Sequence, residues 1–346
     1  MAIFSADKGI EVMRVAILGA TGLVGQKFIA LLQKCNNWEV GEVVASEAKY
    51  GHPYHTACVW QEPLTPLPQA IGSLVIQTVE ELQADIVVSF LPEKHAEILE
   101  AYCLSKGKTV FSNASAYRMH PYVPILIPEL NKEHMLLIEQ QPFPGRIITN
   151  SNCCVSGVAL ALAPLRDFGL DHIHIVTLQS ASGAGYPGVP STDLLSNTIP
   201  FIAGEEEKIL RETKKILGTP TQPLCCKISV SVHRVPVVYG HMFSLHISFL
   251  QPVDLEEIAM CYEKKNLEFP GTYQLYKDPR FPQARHHLTH DDMRVHIGPI
   301  TYGGDTRTIK MNVLVHNLVR GAAGAVLANM EWYVQYCGGR HAFSCI

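Results

Sequence analysis

Cys153 stands in the run Ile148-Thr149-Asn150-Ser151-Asn152-Cys153-Cys154-Val155-Ser156-Gly157, where an apolar stretch gives way to a polar turn and then to small residues able to open a helix. A thiol at a helix N-terminus faces the positive end of the helix dipole, which favours the thiolate and lowers the pKa below the free value of about 8.5. That is the setting of a covalent nucleophile. A free cysteine packed as a small apolar side chain fits the same string, so the local sequence leaves both readings open.

A second chemical pattern lies near the chain start. Gly19-Ala20-Thr21-Gly22-Leu23-Val24-Gly25 joins the apolar run Val15–Leu18 to a stretch whose apolar residues Val24, Phe28, Leu31 and Leu32 recur at helical spacing. Glycines between a strand and a helix let the backbone turn tightly against a pyrophosphate, and the helix N-terminus supplies free N–H donors. The segment Gly19, Thr21, Gly22, Leu23, Val24 and Gly25 is therefore expected to hold a dinucleotide. Ser46 follows the second strand where an NAD site would carry an acidic residue; its hydroxyl accommodates a 2′-phosphate and favours NADP, with Lys49 the close cation and Glu47 opposing.

Other residues carry chemistry only in combination. His241 shares a strand face with Phe243, Leu245 and Ile247, so it reads as a satisfied core histidine or as an acid/base. Arg234, seven residues earlier, fits a surface ion pair or a bidentate grip on a carboxylate. Glu205 and Lys208 share one helix face at i,i+3. His172 and His174 alternate on a strand without a third ligand at a convincing spacing; they, and His286, His287, His290 and His296, are assigned to structure, and no metal site is expected.

These residues need elements to position them. Strand signals at Val15–Leu18, Val43–Ala45, Ile86–Phe90 and Thr109–Phe111 alternate with helical ones, including Glu93–Leu104. That order implies a doubly wound parallel sheet of Rossmann type. After Cys153 the spacing predicts a helix over about 155–168. Alternating strands follow at 172–178, 227–232 and 241–249, with a helix over 204–217 between them. This is an α+β unit with a mixed sheet. A final Ala-rich helix over 319–336 is expected to return to the first unit. The division is thus 13–152 with 320–346 for the nucleotide, and 153–319 for the second unit, whose outer sheet face needs cover.

The chain has 346 residues, 47% hydrophobic and 17% charged, with a formal charge of −4, which supports a large core and argues against nucleic-acid or membrane binding. Its 10 cysteines form no C-x-x-C, and residues 1–12 lack the pattern of a signal peptide, so a reduced cytoplasmic setting is expected.

Taken together, the motifs resemble aspartate-semialdehyde dehydrogenases of the archaeal and fungal branch, over about residues 13–336. Besides Gly19–Gly25 and Asn150–Gly157, the resemblance rests on Ser112–Met119 (SNASAYRM), Ile127–Asn131, Gln179–Pro190 (QSASGAGYPGVP), Gly204–Lys208 (GEEEK), Arg234–His241 (RVPVVYGH) and Asn317–Gly324 (NLVRGAAG). It implies hydride transfer to an acyl phosphate: aspartyl phosphate and NADPH give aspartate semialdehyde, NADP and phosphate.

The resemblance also implies roles. Cys153 is the nucleophile that forms a thioester, His241 the acid/base, and Gln179 the residue that orients the substrate. Arg234 grips the substrate α-carboxylate, Arg118 and Lys208 bind phosphate, and Glu205 meets the substrate amine. Asn152, directly before the nucleophile, is expected to help fix the acyl oxygen or phosphate. Ser182 and Gly183 approach the nicotinamide, as does Asn317, for which an N-cap is the competing reading. A homodimer or homotetramer is expected. The chain departs from the family's pattern at Cys154, where relatives carry Ser, Ala or Thr, at Tyr239, and in a short Glu42–Trp60 stretch.

Two alternatives remain at this stage. A malonyl-CoA-type acyl-CoA reductase would use the same cysteine, against which Arg118 and Lys208 weigh. A non-catalytic dinucleotide sensor would keep the fold without turnover, against which the intact Cys153, His241, Arg234 and Gln179 weigh. The cysteine turn and the GEEEK helix disfavour a glyceraldehyde-3-phosphate-type dehydrogenase.

Overall fold

A computed structural model describes residues 12–338. Residues 1–11, nearly all of the stretch that lacks a signal-peptide pattern, and the last eight residues of the expected nucleotide unit, 339–346, lie outside them.

The first half builds a parallel sheet. Strand β1 (Met13–Leu18) leads through the glycine turn into α1 (Leu23–Leu32), then β2 (Trp38–Val44), β3 (Ile76–Gln77), β4 (Ile86–Ser89), α2 (Glu93–Ser105), β5 (Thr109–Ser112) and β6 (Arg146–Thr149). The order is β3-β2-β1-β4-β5-β6, parallel throughout. Val15, Ile17, Val87, Val88, Val110, Ile147 and Ile148 are buried, as strands covered on both faces must be. The order changes direction beside β1, and its C-terminal end carries the glycine turn, where open α/β sheets hold ligands.

The second half opens with α3 (Cys153–Leu162), followed by β7 (Leu170–Gln179), α4 (Glu205–Leu217), β8 (Lys227–Arg234), β9 (His241–Phe249), α5 (Leu255–Glu268), β10 (Tyr273–Leu275), β11 (Val295–Ile297), β12 (Thr301–Tyr302), β13 (Thr308–Val315) and α6 (Gly324–Gly338). The sheet order is β10-β11-β13-β9-β7-β8, with β12 on β13. β7 and β8 run parallel while β7/β9 and β9/β13 run antiparallel, so the sheet is mixed. Ile173, Ile175, Phe243, Leu245, Ile247, Met311 and Val313 pack with α3, α4 and α5 in one core, while His172, His174, His246 and Lys310 on the other face are exposed. Alternation along each strand produces these two faces.

The helix expected over 155–168 begins two residues earlier and splits. α3 runs from Cys153 to Leu162, and a tighter 3₁₀ segment, Ala163–Phe168, completes it. Pro164 lacks the N–H that a continuing α-helix requires. α3 lies close on the sheet through small residues: a Cβ on Gly157 would stand 2.7 Å from the Phe243 ring. Gly157→Ala would overpack this contact at a cost of about 1–3 kcal/mol.

The C-terminal helix does return to the first sheet. Val319, Ala323, Val326, Met330 and Tyr333 join the core of Val15, Phe28 and Phe111. Asn329 donates to Asn150 Oδ1 at 2.7 Å, and Asn150 donates to the Ala322 carbonyl at 2.9 Å, tying α6 to the cysteine turn. Among the described residues, no helix is long and apolar enough to cross a membrane.

Candidate active site

The cysteine turn is the junction of the two sheets. β6 ends at Thr149, Asn152 caps α3, and Cys153 is the first helical residue. Asn152 Oδ1 accepts the Cys154 N–H at 2.8 Å, which fixes the cap. Its Nδ2 donates to Glu205 Oε1 at 3.0 Å, and its backbone N–H donates to Glu212 Oε2 at 2.6 Å. Asn152 therefore holds the turn in shape, with one amide hydrogen left for a substrate oxygen.

Cys153 Sγ lies 3.2 Å from His241 Nε2. His241 is the first residue of β9 and fully buried, so it belongs both to the core face and to the site. Its other nitrogen meets two groups of one residue. The Ser180 N–H donates to Nδ1 at 3.1 Å, and Ser180 Oγ lies 3.2 Å from the same atom. The N–H serves the ring when the proton is on Nε2, and Oγ can accept when it is on Nδ1. Either protonation state finds a partner, as a group that exchanges a proton with sulfur requires.

The adjacent Cys154 thiol, then the His241 imidazole, hold the Cys153 thiol well below its ordinary pKa, against the opposing effect of burial. Burial pushes the Cys154 thiol up, and the Cys153 sulfur adds to that. The sulfur that faces the imidazole is thus the one that ionises.

Parallel pairing of β7 and β8 sets Gln179 opposite Arg234 at the strand ends. Both are buried, and Arg234 Nη1 donates to the Ser180 carbonyl at 2.7 Å. Ser180 therefore links Arg234 to His241. Gly183 closes over them: a Cβ there would stand 2.7 Å from Arg234 Nη1 and 2.9 Å from His241 Cε1.

Asn317 is an anchor and not a helix cap. Its Nδ2 donates to Ser182 Oγ at 2.9 Å, and its Oδ1 accepts from Ser180 Oγ at 3.2 Å and the Gly240 N–H at 2.9 Å. The π-helical turn that follows, Val319–Ala323, has no side-chain cap. Tyr239 stacks on His316 with ring centroids 5.7 Å apart, which accounts for an aromatic residue at that position.

The first turns of α4 face Asn152. Glu205 is half-buried there, and burial, followed by the Cys153 sulfur, raises its pKa. Lys208 reaches Glu93 Oε2 at 3.3 Å and is partly exposed. Arg118 is buried: Nη1 meets Glu212 Oε1 at 3.0 Å and Nη2 meets the Asn113 carbonyl at 2.7 Å, while its Nε has no hydrogen-bond partner. Glu212 escaped the sequence reading, although it stands seven residues after Glu205 and four after Lys208 on the same helical face.

The nucleotide segment has the expected geometry. Gly19 adopts φ +75°, and a Cβ on Gly25 would stand 2.6 Å from the Gly19 carbonyl oxygen. α1 has no side-chain cap, so its first N–H groups point out unpaired by side chains. A cavity of about 630 Å³ opens beside it, lined by Thr21, Gly22, Leu23, Lys49, His55 and Tyr186 among others. Lys49 Nζ donates to Thr21 Oγ1 at 2.9 Å, and Ser46 is exposed nearby on the Ser46–Lys49 turn. Of the histidines assigned to structure, His296 Nε2 meets Asp292 at 3.0 Å and His290 Nε2 meets Glu62 at 2.9 Å.

Two protein families match the chain: the NAD binding domain of semialdehyde dehydrogenases over residues 14–138, and their dimerisation domain over residues 162–320. An aspartate-semialdehyde dehydrogenase of Archaeoglobus fulgidus is 39% identical over 339 residues, 93% of this chain and 98% of that protein. One of Schizosaccharomyces pombe is 35% identical over 352 residues, 93% of this chain and 98% of its own. The crystal structure of aspartate semialdehyde dehydrogenase with NADP from Candida albicans superposes with a TM-score of 0.83 at 32% identity, covering 94% of this chain and 99% of that one.

Proposed function

The chain belongs to the aspartate-semialdehyde dehydrogenase family, and on that premise we propose how the residues at the cysteine turn share out the reaction. The enzyme catalyses the NADP-dependent reductive dephosphorylation of L-aspartyl 4-phosphate to L-aspartate 4-semialdehyde through a cysteine thioester, in aspartate-family amino-acid biosynthesis.

The single observation that carries the assignment of roles is the 3.2 Å approach of His241 Nε2 to Cys153 Sγ at the start of a helix. The thiolate of Cys153 attacks the acyl carbon, and the C–O bond to phosphate breaks. The resulting thioester accepts hydride more readily than a carboxylate would. Loss of sulfur from the tetrahedral adduct then releases the aldehyde and regenerates the thiolate. His241 takes and returns the proton at Sγ, with Ser180 serving Nδ1 in both states.

Arg234 binds the substrate α-carboxylate beside Gln179, and Glu205 meets the α-amine. Asn152 offers its remaining amide hydrogen to the acyl oxygen. Arg118 and Lys208 receive the phosphate: the buried, unpartnered Nε of Arg118 supports this role, as does the partial exposure of Lys208. These cations favour an acyl phosphate over an acyl-CoA.

NADPH supplies the hydride when bound. The residues present fit it, since the Gly19 turn, the Gly19–Gly25 approach and the uncapped N-terminus of α1 leave room and donors for a pyrophosphate. Gly19, Thr21, Gly22, Leu23, Val24 and Gly25 would hold that group, and Ser46 the ribose side. Ser182 and Gly183 would approach the nicotinamide, with Asn317 acting through Ser182.

The protein is a homo-oligomer. We assign the exposed face of the second sheet, around His172, His174 and His246, to a homodimer contact, with a tetramer as the larger alternative. We divide the chain into 13–152 with 320–346, and 153–319; the two separate sheets and the packing of the described part of α6 on the first sheet support this reading. A cytoplasmic location suits a reduced catalytic thiol. The function is tested by NADPH formation from aspartate semialdehyde, phosphate and NADP. Phosphate-dependent turnover supports the reading; turnover that needs coenzyme A in place of phosphate overturns it.

A further inference from the structure

Beyond its effect on the Cys153 thiol, the second cysteine adds a metal-binding donor beside the nucleophile. We propose that Cys153, Cys154, His241 and Glu205 form a chelating site for a borderline-soft divalent cation of the zinc class, and that its occupancy silences the nucleophile. The proposal departs from the sequence expectation of no metal site. The cation is an inhibitor here and not a cofactor.

The two sulfurs and His241 Nε2 all lie within 4.8 Å of one another. The Cys153 Sγ–His241 Nε2 separation is 3.2 Å, and Glu205 Oε1 stands 3.8 Å from Cys154 Sγ. A tetrahedral zinc bonded to sulfur at about 2.3 Å and to nitrogen or oxygen at about 2.0 Å holds its ligands roughly 3.3–3.8 Å apart. Cys153, Cys154 and His241 thus stand close enough to share an ion, and Glu205, which lies outside this trio and approaches from the Cys154 side, turns in to complete the site. Two thiolates and an imidazole are the donor set zinc prefers, and a carboxylate completes four.

The surroundings fit as well. A histidine that binds metal through one nitrogen donates from the other, and Ser180 Oγ lies 3.2 Å from Nδ1. Asn152 Nδ2 orients the Glu205 carboxylate at 3.0 Å. Binding displaces the protons still held at the two sulfurs and the imidazole, and the ion draws off the charge of the Cys153 thiolate and occupies the space an acyl carbon would approach through. Without Cys154 the site would have one sulfur, which makes this residue the determinant.

The proposal rests on the placement of the four donors and does not require Cys153 to be the nucleophile, so its test is separable. Purified wild-type protein is loaded with Zn²⁺ and examined by X-ray absorption at the zinc edge. Co²⁺ loading is followed by thiolate-to-cobalt charge-transfer absorption. Two sulfur scatterers per zinc and a strong cobalt band are expected; one sulfur or none overturns the proposal whether or not the protein turns over. In the activity assay, Zn²⁺ should inhibit the wild type and a chelator should restore it. Cys154→Ser should raise the Zn²⁺ needed for half inhibition by more than the roughly 10–100-fold that loss of an outer partner costs. An unchanged Zn²⁺ requirement in Cys154→Ser would overturn the role of the second thiol.

Discussion

Glu212 accepts the backbone N–H of Asn152 at 2.6 Å, joining the middle of α4 to the residue that caps α3 at Cys153. Its other oxygen takes Arg118 at 3.0 Å. One buried carboxylate therefore fixes both the cysteine turn and Arg118, the cation proposed to receive the phosphate. Glu212→Gln removes the charge that balances a buried guanidinium, a change that typically costs about 3–5 kcal/mol. We expect a marked fall in melting temperature and a raised KM for phosphate in the oxidative direction. A variant with wild-type melting and wild-type phosphate KM would remove Glu212 from this role.

Gly183 is expected to tolerate no side chain. Alanine there would place Cβ against Arg234 Nη1 and His241 Cε1, both in a buried region that cannot expand freely. Gly183→Ala should lower kcat/KM by about tenfold or more, of order 1.4 kcal/mol, with the fold retained by circular dichroism. Wild-type kinetics in this variant would mean that the loop does not lie over the two residues during turnover.

The ionisation of Cys153 is open to direct measurement. Because the Cys154 thiol and then the His241 imidazole hold it below its ordinary range, alkylation by iodoacetamide should stay fast at pH values where a free thiol is protonated. Cys154→Ala removes the leading cause, so the midpoint of the alkylation profile should move upward. A midpoint at the free-thiol position in the wild type would contradict the geometry around Sγ.

How much of this could be read from the sequence is instructive residue by residue. The glycine turn and the cysteine turn were legible because they use residue types that only a few backbone geometries demand. His241 was ambiguous for a physical reason: it is a core residue on the face of Phe243 and Leu245 and a catalytic candidate at the strand end, and periodicity reports only the first. Glu212 and Ser180 were illegible, since their roles depend on contacts across 60 and 61 positions of chain. Helix α5 and strand β13 carry signals in the sequence as well. Asp254 caps α5 by accepting from Glu256 and Glu257, and Ile309, Met311 and Val313 alternate along β13.

Glu100 supplies a pH dependence of stability. It is buried beside Ser112, and burial pushes its pKa up to about 7, from an ordinary value of 4.5. The folded state therefore keeps this proton to higher pH than the unfolded chain. The contribution is fully present below about pH 4.5 and is lost as pH rises toward 7, with a total on the order of 3 kcal/mol. Denaturant midpoints measured at several pH values should fall less across that window in Glu100→Gln than in the wild type. Parallel curves for the two proteins would show that Glu100 ionises as it does in the unfolded chain.

The acyl-enzyme is the point on which the roles of Cys153, His241 and Arg234 converge. The decisive measurement is peptide mass spectrometry of the enzyme quenched after exposure to aspartyl phosphate without NADPH. The peptide containing Cys153 should gain the mass of one aspartyl group, lost again on treatment with hydroxylamine and absent from Cys153→Ala. Full turnover with no adduct on Cys153, or an adduct on another residue, would contradict the account.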